Sequence, residues 1–167
     1  KDHFLVLNGD TFSDIDLNKF LSFHKSKNSN FSMALVNHRD SERYENVLIE
    51  NDKIVDFIEK GKGGTGLISM GCYIFGPEIF KLIPQNKNFS LEREIFPTLA
   101  KEGLLHGYVY GGYFIDIGIS ETYEQFRKKV ISSIFLKIND TVREAMQKIN
   151  RTGINLIFVK DDENLSS

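Results

Sequence analysis

Phe4-Leu5-Val6-Leu7-Asn8-Gly9-Asp10-Thr11 sets how the rest of the chain is read. Four apolar residues in a row predict a buried strand, and that strand empties directly into a Gly-Asp turn. A carboxylate at the carboxyl end of a central strand, beside a glycine that lets a ligand approach the backbone, is well placed to hold a metal or a phosphate. Tyr113-Phe114-Ile115-Asp116-Ile117-Gly118 repeats the arrangement with an apolar run, one acid and a closing glycine. Two buried-looking aspartates on separate strands, Asp10 and Asp116, point to Mg²⁺ held by oxygen ligands. For either acid alone, the alternative is a cap on the helix that follows.

Outward from the first strand, Leu17, Phe20, Leu21 and His24 recur at helical spacing, with Asp16 placed to open the helix. Phe31 to Val36 reads as a short strand. Asn46 to Glu50 and Lys53 to Glu59 read as a hairpin turning at Asn51-Asp52. Leu67 to Phe75 is a long buried strand, and Pro77 starts a short helix through Ile83. Ser90 precedes a helical stretch from Leu91 to Lys101, which Pro97 kinks or splits. Leu105 to Tyr110 and Tyr113 to Ile117 are strands, and Ser120 caps a helix to about Val130. Strands alternating with helices give an α/β class, with a mixed sheet because of the hairpin. Composition shifts near Ile131 to Phe135. A domain is therefore expected over 1–131 and a short β-α-β piece over 132–167, its helix opened by a capping box at Thr141 to Glu144.

The chain has 167 residues, 41% of them hydrophobic, which is enough for a core. Its net charge of -2 gives no reason to expect nucleic acid or an anionic membrane as partner. A lone cysteine, Cys72, in an apolar run fits a buried thiol in a reducing, cytoplasmic setting. No stretch is apolar enough to span a bilayer. Phe12, Phe20, Phe23, Phe80 and Phe96 are assigned to the core, and His3, His24, His38 and His106 show no metal-ligand spacing. Opening at Lys1 and closing at Ser167, both near strands, the chain reads as cut from a larger protein.

Gly61-Lys62-Gly63-Gly64-Thr65-Gly66 satisfies G-x-G-x-x-G, yet a strand follows where a dinucleotide fingerprint needs a helix. A loop near a site is the better reading. Glu59-Lys60 just before it pairs a hydrogen-bond acceptor with a point charge suited to phosphate, or is an ordinary solvated pair.

Leu7-Asn8-Gly9-Asp10, Phe57-Ile58-Glu59-Lys60, Ser69-Met70-Gly71-Cys72-Tyr73-Ile74-Phe75 and Phe114-Ile115-Asp116-Ile117-Gly118 resemble, in content and order, the sugar-1-phosphate nucleotidyltransferases. Phe89-Ser90-Leu91-Glu92-Arg93-Glu94-Ile95-Phe96-Pro97 and Gly112 to Gly118 narrow the likeness to heptose- and mannose-1-phosphate guanylyltransferases. The resemblance implies a Rossmann-like nucleotidyltransferase fold, incomplete at its amino end. It also implies a nucleoside triphosphate (GTP favoured) and a sugar 1-phosphate as substrates, and Mg²⁺ as cofactor. By that likeness Asp10 and Asp116 would hold the metal. Asn8, Gly9, Glu59 and the backbone near Gly71 would meet the sugar, and Lys60 its phosphate; Asp10, Lys60 and Asp116 form the catalytic set.

Two departures qualify it. The family's amino-terminal glycine-rich loop with Arg and Lys has no counterpart here, so the chain by itself is expected not to turn over. Glu45 stands where the family has glycine after Arg43-Tyr44. Leu136 to Met146 through Ile157 to Asn164 resembles the first half of a CBS domain, a class that binds adenine nucleotides. A glycosyltransferase using Asp14-x-Asp16, or a regulatory module working through the tail, are the alternatives, and a homo-oligomer is left open.

Overall fold

The computed structural model describes residues 3–39, 43–59, 61, 64–131, 135–137, 139–152 and 158–160. The chain divides into two units, Lys1–Phe114 and Ile115–Ser167. The first contains β1 (Phe4–Leu7), β2 (Thr11–Ser13), α1 (Leu17–Ser26), β3 (Phe31–His38), β4 (Asn46–Glu50) and β5 (Lys53–Ile58). It continues with β6 (Gly66–Phe75), α2 (Ile79–Leu82), a π-helical turn (Leu91–Ile95), α3 (Phe96–Lys101) and β7 (Leu105–Tyr110). The unit boundary falls inside β8 (Phe114–Asp116).

Six strands form one sheet in the order β1-β6-β3-β7-β5-β4. β6 runs antiparallel to both β1 and β3, whereas β3 and β7 are parallel, so the sheet is mixed as expected. Phe31, Met33 and Leu35 of β3, with Tyr73 and Phe75 of β6, pack on one face against Ile79, Ile95, Phe96 and Leu99. The alternate residues Ala34 and Val36, with Met70, Cys72 and Ile74, pack on the other face against Phe20 of α1. Period-two alternation on a sheet covered on both faces explains why these two strands read as unbroken apolar runs.

That double cover also corrects the reading of β1. It is an edge strand of this sheet, not a central one, and it is only half-buried: Leu5 and Leu7 are 40% and 59% exposed. Phe4 and Val6 face the core, so a four-residue apolar run here marks one buried face and not two. Phe80, assigned to the core from sequence, is 64% exposed and stacks on Phe4 at 5.4 Å between ring centroids.

Local chemistry fixes several elements. Asp16 caps α1, its Oδ1 accepting from the Asn18 and Lys19 amides at 2.9 and 3.1 Å. Asn51 and Asp52 both take positive φ, 49° and 65°, which turns β4 back into β5. Ser90 opens the π-helical turn: its hydroxyl accepts from the Arg93 amide at 3.2 Å, and Glu94 accepts from the Ser90 amide at 3.0 Å. Pro97 lies at the start of α3, where a missing N–H costs nothing, so the stretch is split as expected.

In the second unit, α4 (Ser120–Phe126) runs into a π-helical turn (Arg127–Ile131). Ile119, not Ser120, is its N-cap, with no side-chain cap hydrogen bond, so the expected serine cap does not form. β9 (Phe135–Lys137), α5 (Val142–Thr152) and β10 (Phe158–Lys160) follow, with β9 and β10 parallel, the β-α-β arrangement expected of the tail. The expected capping box is made: Glu144 accepts from the Thr141 amide and hydroxyl at 2.6 and 2.8 Å. Among the described residues no helix is long and apolar enough to cross a membrane.

Candidate active site

Beside the carboxyl end of β1, the register between β3 and β6 breaks. Met33 of β3 pairs with Tyr73, but Leu35 pairs with Ser69, so β6 carries two extra residues between them. Gly71 sits in that bulge with φ of +68°, a left-handed conformation that favours glycine. β1 ends against it, Leu7 opposite Cys72, and the Asn8 amide donates to the Gly71 carbonyl at 2.8 Å. A Cβ on Gly71 would stand 2.7 Å from the Asn8 Cβ, Cγ and Nδ2 atoms. Asn8 and Gly71, two of the residues picked from sequence, are thus locked together. Their junction holds the Gly9-Asp10 turn just past the end of β1, beside the bulge.

Gly9 has open space where a Cβ would be, so the turn is accessible. Asp10 is exposed, not buried as the sequence suggested, because it follows an edge strand. Glu59 follows Ile58 at the end of β5; Ile58 pairs with Asn46, which pairs with Ile68, so Glu59 follows the row that meets β6 at Ile68, three residues from Gly71. Lys60 lies outside the described residues. Strand β6 begins at Gly66, directly out of the glycine loop, and no helix follows. That arrangement excludes the dinucleotide fingerprint.

Behind Gly71 stands a hydroxyl pair that the sequence reading passed over. The Gly71 amide donates to Ser69 Oγ at 3.2 Å, and Ser69 Oγ lies 3.1 Å from the Tyr73 hydroxyl. Burial pushes the Tyr73 phenol up to about 12; the Ser69 hydrogen bond opposes this, and the charges of Glu92 and Asp10 add to it. The phenol stays protonated and holds the bulge. A serine and a tyrosine four apart in an otherwise apolar strand were the signal for it.

Asp14 also has a role that sequence did not assign. Its Oδ1 accepts from the Tyr110 hydroxyl and from the Tyr113 amide at 2.7 Å. Burial, then the hydrogen bond and charge of Asp14, push the Tyr110 phenol up to about 12. In the second unit, half-buried Asp116 accepts from the Gly118 amide at 2.8 Å.

Among the described residues no three His, Cys, Asp or Glu side chains gather as a metal site. Mg²⁺ binds through one or two carboxylates and completes its octahedron with substrate phosphates and water, so a single acid on each unit is chemically compatible with it. Asp10 is an exposed carboxylate and Asp116 a half-buried one, both hard oxygen donors suited to it.

The family described as Nucleotidyl transferase matches residues 1–133. The mannose-1-phosphate guanylyltransferase of Mycobacterium tuberculosis is 37% identical over 123 residues, 71% of this chain and 34% of that protein. The D-glycero-alpha-D-manno-heptose 1-phosphate guanylyltransferase of Campylobacter jejuni is 37% identical over 127 residues, 75% of this chain and 55% of that one. The crystal structure of HddC from Yersinia pseudotuberculosis complexed with GMP-PN has 35% identity and a TM-score of 0.64, covering 76% of this chain and 55% of that chain. The chain thus spans between a third and about half of the relatives it matches. With a mixed sheet, a glycine bulge facing the exit of β1 and a family match over 133 of its 167 residues, the chain belongs to the nucleotidyl transferase family.

Proposed function

We propose that this chain carries sugar-phosphate and metal contacts of a nucleotidyltransferase that joins GMP, from GTP, to a heptose- or mannose-type sugar 1-phosphate. An oxygen of the sugar phosphate forms a bond to the α-phosphorus while the bond to pyrophosphate breaks. The observation that carries the reading is the Asn8–Gly71 junction, which puts the Gly9-Asp10 turn and the bulged backbone of β6 at one strand end. Names of the relatives support the guanine base and the sugar type.

In this reading Glu59 accepts hydrogen bonds from sugar hydroxyls and Lys60 neutralises the sugar phosphate as a point charge. Ser69 and Tyr73 keep the Gly71 bulge in shape. Asp10 and Asp116 are the metal ligands, assigned by motif order. Mg²⁺, when bound, offsets phosphate charge and the charge developing in transfer. No general base is needed, because the attacking oxygen is already anionic, and positioning supplies much of the rate. The domain is placed at 1–131 and the remaining β-α-β piece, with parallel β9 and β10, is read as a partial CBS-like module. Nothing favours a metal pair at Asp14-x-Asp16, since Asp16 caps α1 and Asp14 binds Tyr110 and Tyr113.

Binding separates this reading from its rivals without requiring turnover. Mannose 1-phosphate titrated into the labelled chain is expected to shift the Glu59 and Gly71 amides, with affinity at least about tenfold weaker in Glu59→Gln. Mn²⁺ is expected to broaden the amides around Asp10 and around Asp116, and Asp10→Asn to relieve the first. Sugar-phosphate shifts confined to residues 135–160 would overturn the assignment.

A further inference from the structure

We propose that Asp14 is a positioning residue for the metal ligand Asp10, anchoring the far end of the short run of chain that carries that carboxylate. The proposal rests on the reading of Asp10 as a ligand for Mg²⁺, and it keeps Asp14 itself off the metal. The run begins at Asn8, whose amide donates to the Gly71 carbonyl at 2.8 Å and whose side chain fills the space beside that glycine. Gly9 has open space where a Cβ would be and Asp10 is exposed, so neither has much packing to fix it. β2, the three residues Thr11–Ser13, lies outside the six-stranded sheet. What fixes the turn is therefore what holds the two ends of the run.

Asp14 holds the second end from several sides. Its Oδ1 accepts from the Tyr113 amide at 2.7 Å and from the Tyr110 hydroxyl. Its own amide donates back to the Tyr113 carbonyl at 3.3 Å, and the Phe12 ring meets the Tyr113 ring at 6.2 Å between centroids. Tyr110 is the last residue of β7 and pairs with Val36 of β3, so the clamp is fastened to the main sheet. Gly112 keeps the path clear: a Cβ there would overlap the Tyr110 hydroxyl and stand 2.9 Å from Asp14 Oδ1. Burial, then the hydrogen bond and charge of Asp14, keep the phenol protonated, so it remains a donor near neutral pH.

A carboxylate ordered before its metal arrives binds more tightly, because the freedom it would lose on binding has already been lost in folding. With Asp14 in place, Asp10 is strung between two fixed points, the Gly71 bulge and the end of β7. Without it, Asp10 sits on a segment fastened at Asn8 alone. Asparagine offers the same acceptor atom in the same place and lacks the charge, so it separates holding from ligation. An amide can keep the Tyr110 and Tyr113 donors satisfied, but it is a poor substitute for a carboxylate bound directly to a hard cation.

The test compares the labelled 167-residue chain with Asp14→Ala, Asp14→Asn and Tyr110→Phe. Two quantities are read: the heteronuclear NOE of the Gly9, Asp10 and Thr11 amides without metal, and Mn²⁺ affinity from the broadening of the same amides. Asp14→Ala is expected to lower the NOE and to weaken Mn²⁺ by about fivefold or more. Tyr110→Phe is expected to change both in the same direction by less, and Asp14→Asn to keep the wild-type values. Should Asp14→Ala unfold, Tyr110→Phe, which deletes one hydroxyl, decides together with Asp14→Asn. A lower urea midpoint with unchanged NOE and affinity would make the clamp merely structural and overturn the proposal. Equal loss in the asparagine and alanine variants would overturn it too, by making Asp14 a ligand. If the wild-type chain shows no saturable Mn²⁺ broadening at Asp10, the metal reading itself falls and takes this inference with it. Wild-type binding beside an unaltered Asp14→Ala removes this inference alone.

Discussion

Gly71 concentrates the most constraint in a single residue. Its φ of +68° disfavours any side chain, and its missing Cβ is the space that Asn8 fills. Gly71→Ala is therefore expected to destabilise the chain by roughly 1–3 kcal/mol in urea unfolding, through backbone strain plus overpacking. Asn8→Gly in the same chain is expected to return part of that loss, giving a coupling of about 0.5–3 kcal/mol, as neighbours do. Additive effects would mean that the two residues do not press on each other. Asn8, Gly9 and Gly71 were named from motif resemblance, and the structure shows that Asn8 and Gly71 are in contact. Ser69 and Tyr73 were not singled out, because a hydroxyl pair across a bulge depends on a register break that no local pattern announces.

At the level of elements, caps and turns were the most legible features, since their chemistry is local. Asp16, the Asn51-Asp52 hairpin and the Thr141–Glu144 box were all readable in the residues that make them. Boundaries set by tertiary context were less so. The position of β1 at the sheet edge, the short strand β2 and the π-helical turn at Leu91–Ile95 depend on partners distant in sequence. That turn places Leu91 and Ile95 against the core while Glu92 and Arg93 stay exposed. Ser90→Ala removes the hydroxyl that receives the Arg93 amide and is expected to cost about 1 kcal/mol by thermal or urea unfolding. Ser90→Asp, which keeps a capping oxygen, is expected to hold the wild-type value. A loss equal to that of alanine would show that the cap contributes nothing there.

Across the whole molecule, stability should carry a histidine signature. His24 is fully buried; its Nδ1 lies 2.8 Å from Ser32 Oγ and its ring packs on His3 at 4.6 Å. Burial, then repulsion from His3 and His106, lower its pKa from 6.5 to about 4. Between those values the unfolded chain takes up a proton that the folded chain refuses, so acidification favours unfolding. Stability should be complete above pH 6.5 and fall on the order of 3 kcal/mol by pH 4. His106, lowered in the same direction, adds to the fall. Urea midpoints from pH 4 to 7 check this, and a flatter curve in His24→Gln assigns it. The α/β class and the mixed sheet were readable from alternation, whereas the meeting of His3, His24 and His106 at one end was not, since their spacing holds no period. The thiol of Cys72 has a practical consequence of another kind. It is 2% exposed and burial raises its pKa to about 11, so maleimides near neutral pH meet almost no thiolate. Since the chain has one cysteine, it offers a silent background for labelling. A cysteine introduced at an exposed position such as Lys101 would carry the dye or spin label by itself, with no native cysteine removed to prepare for it.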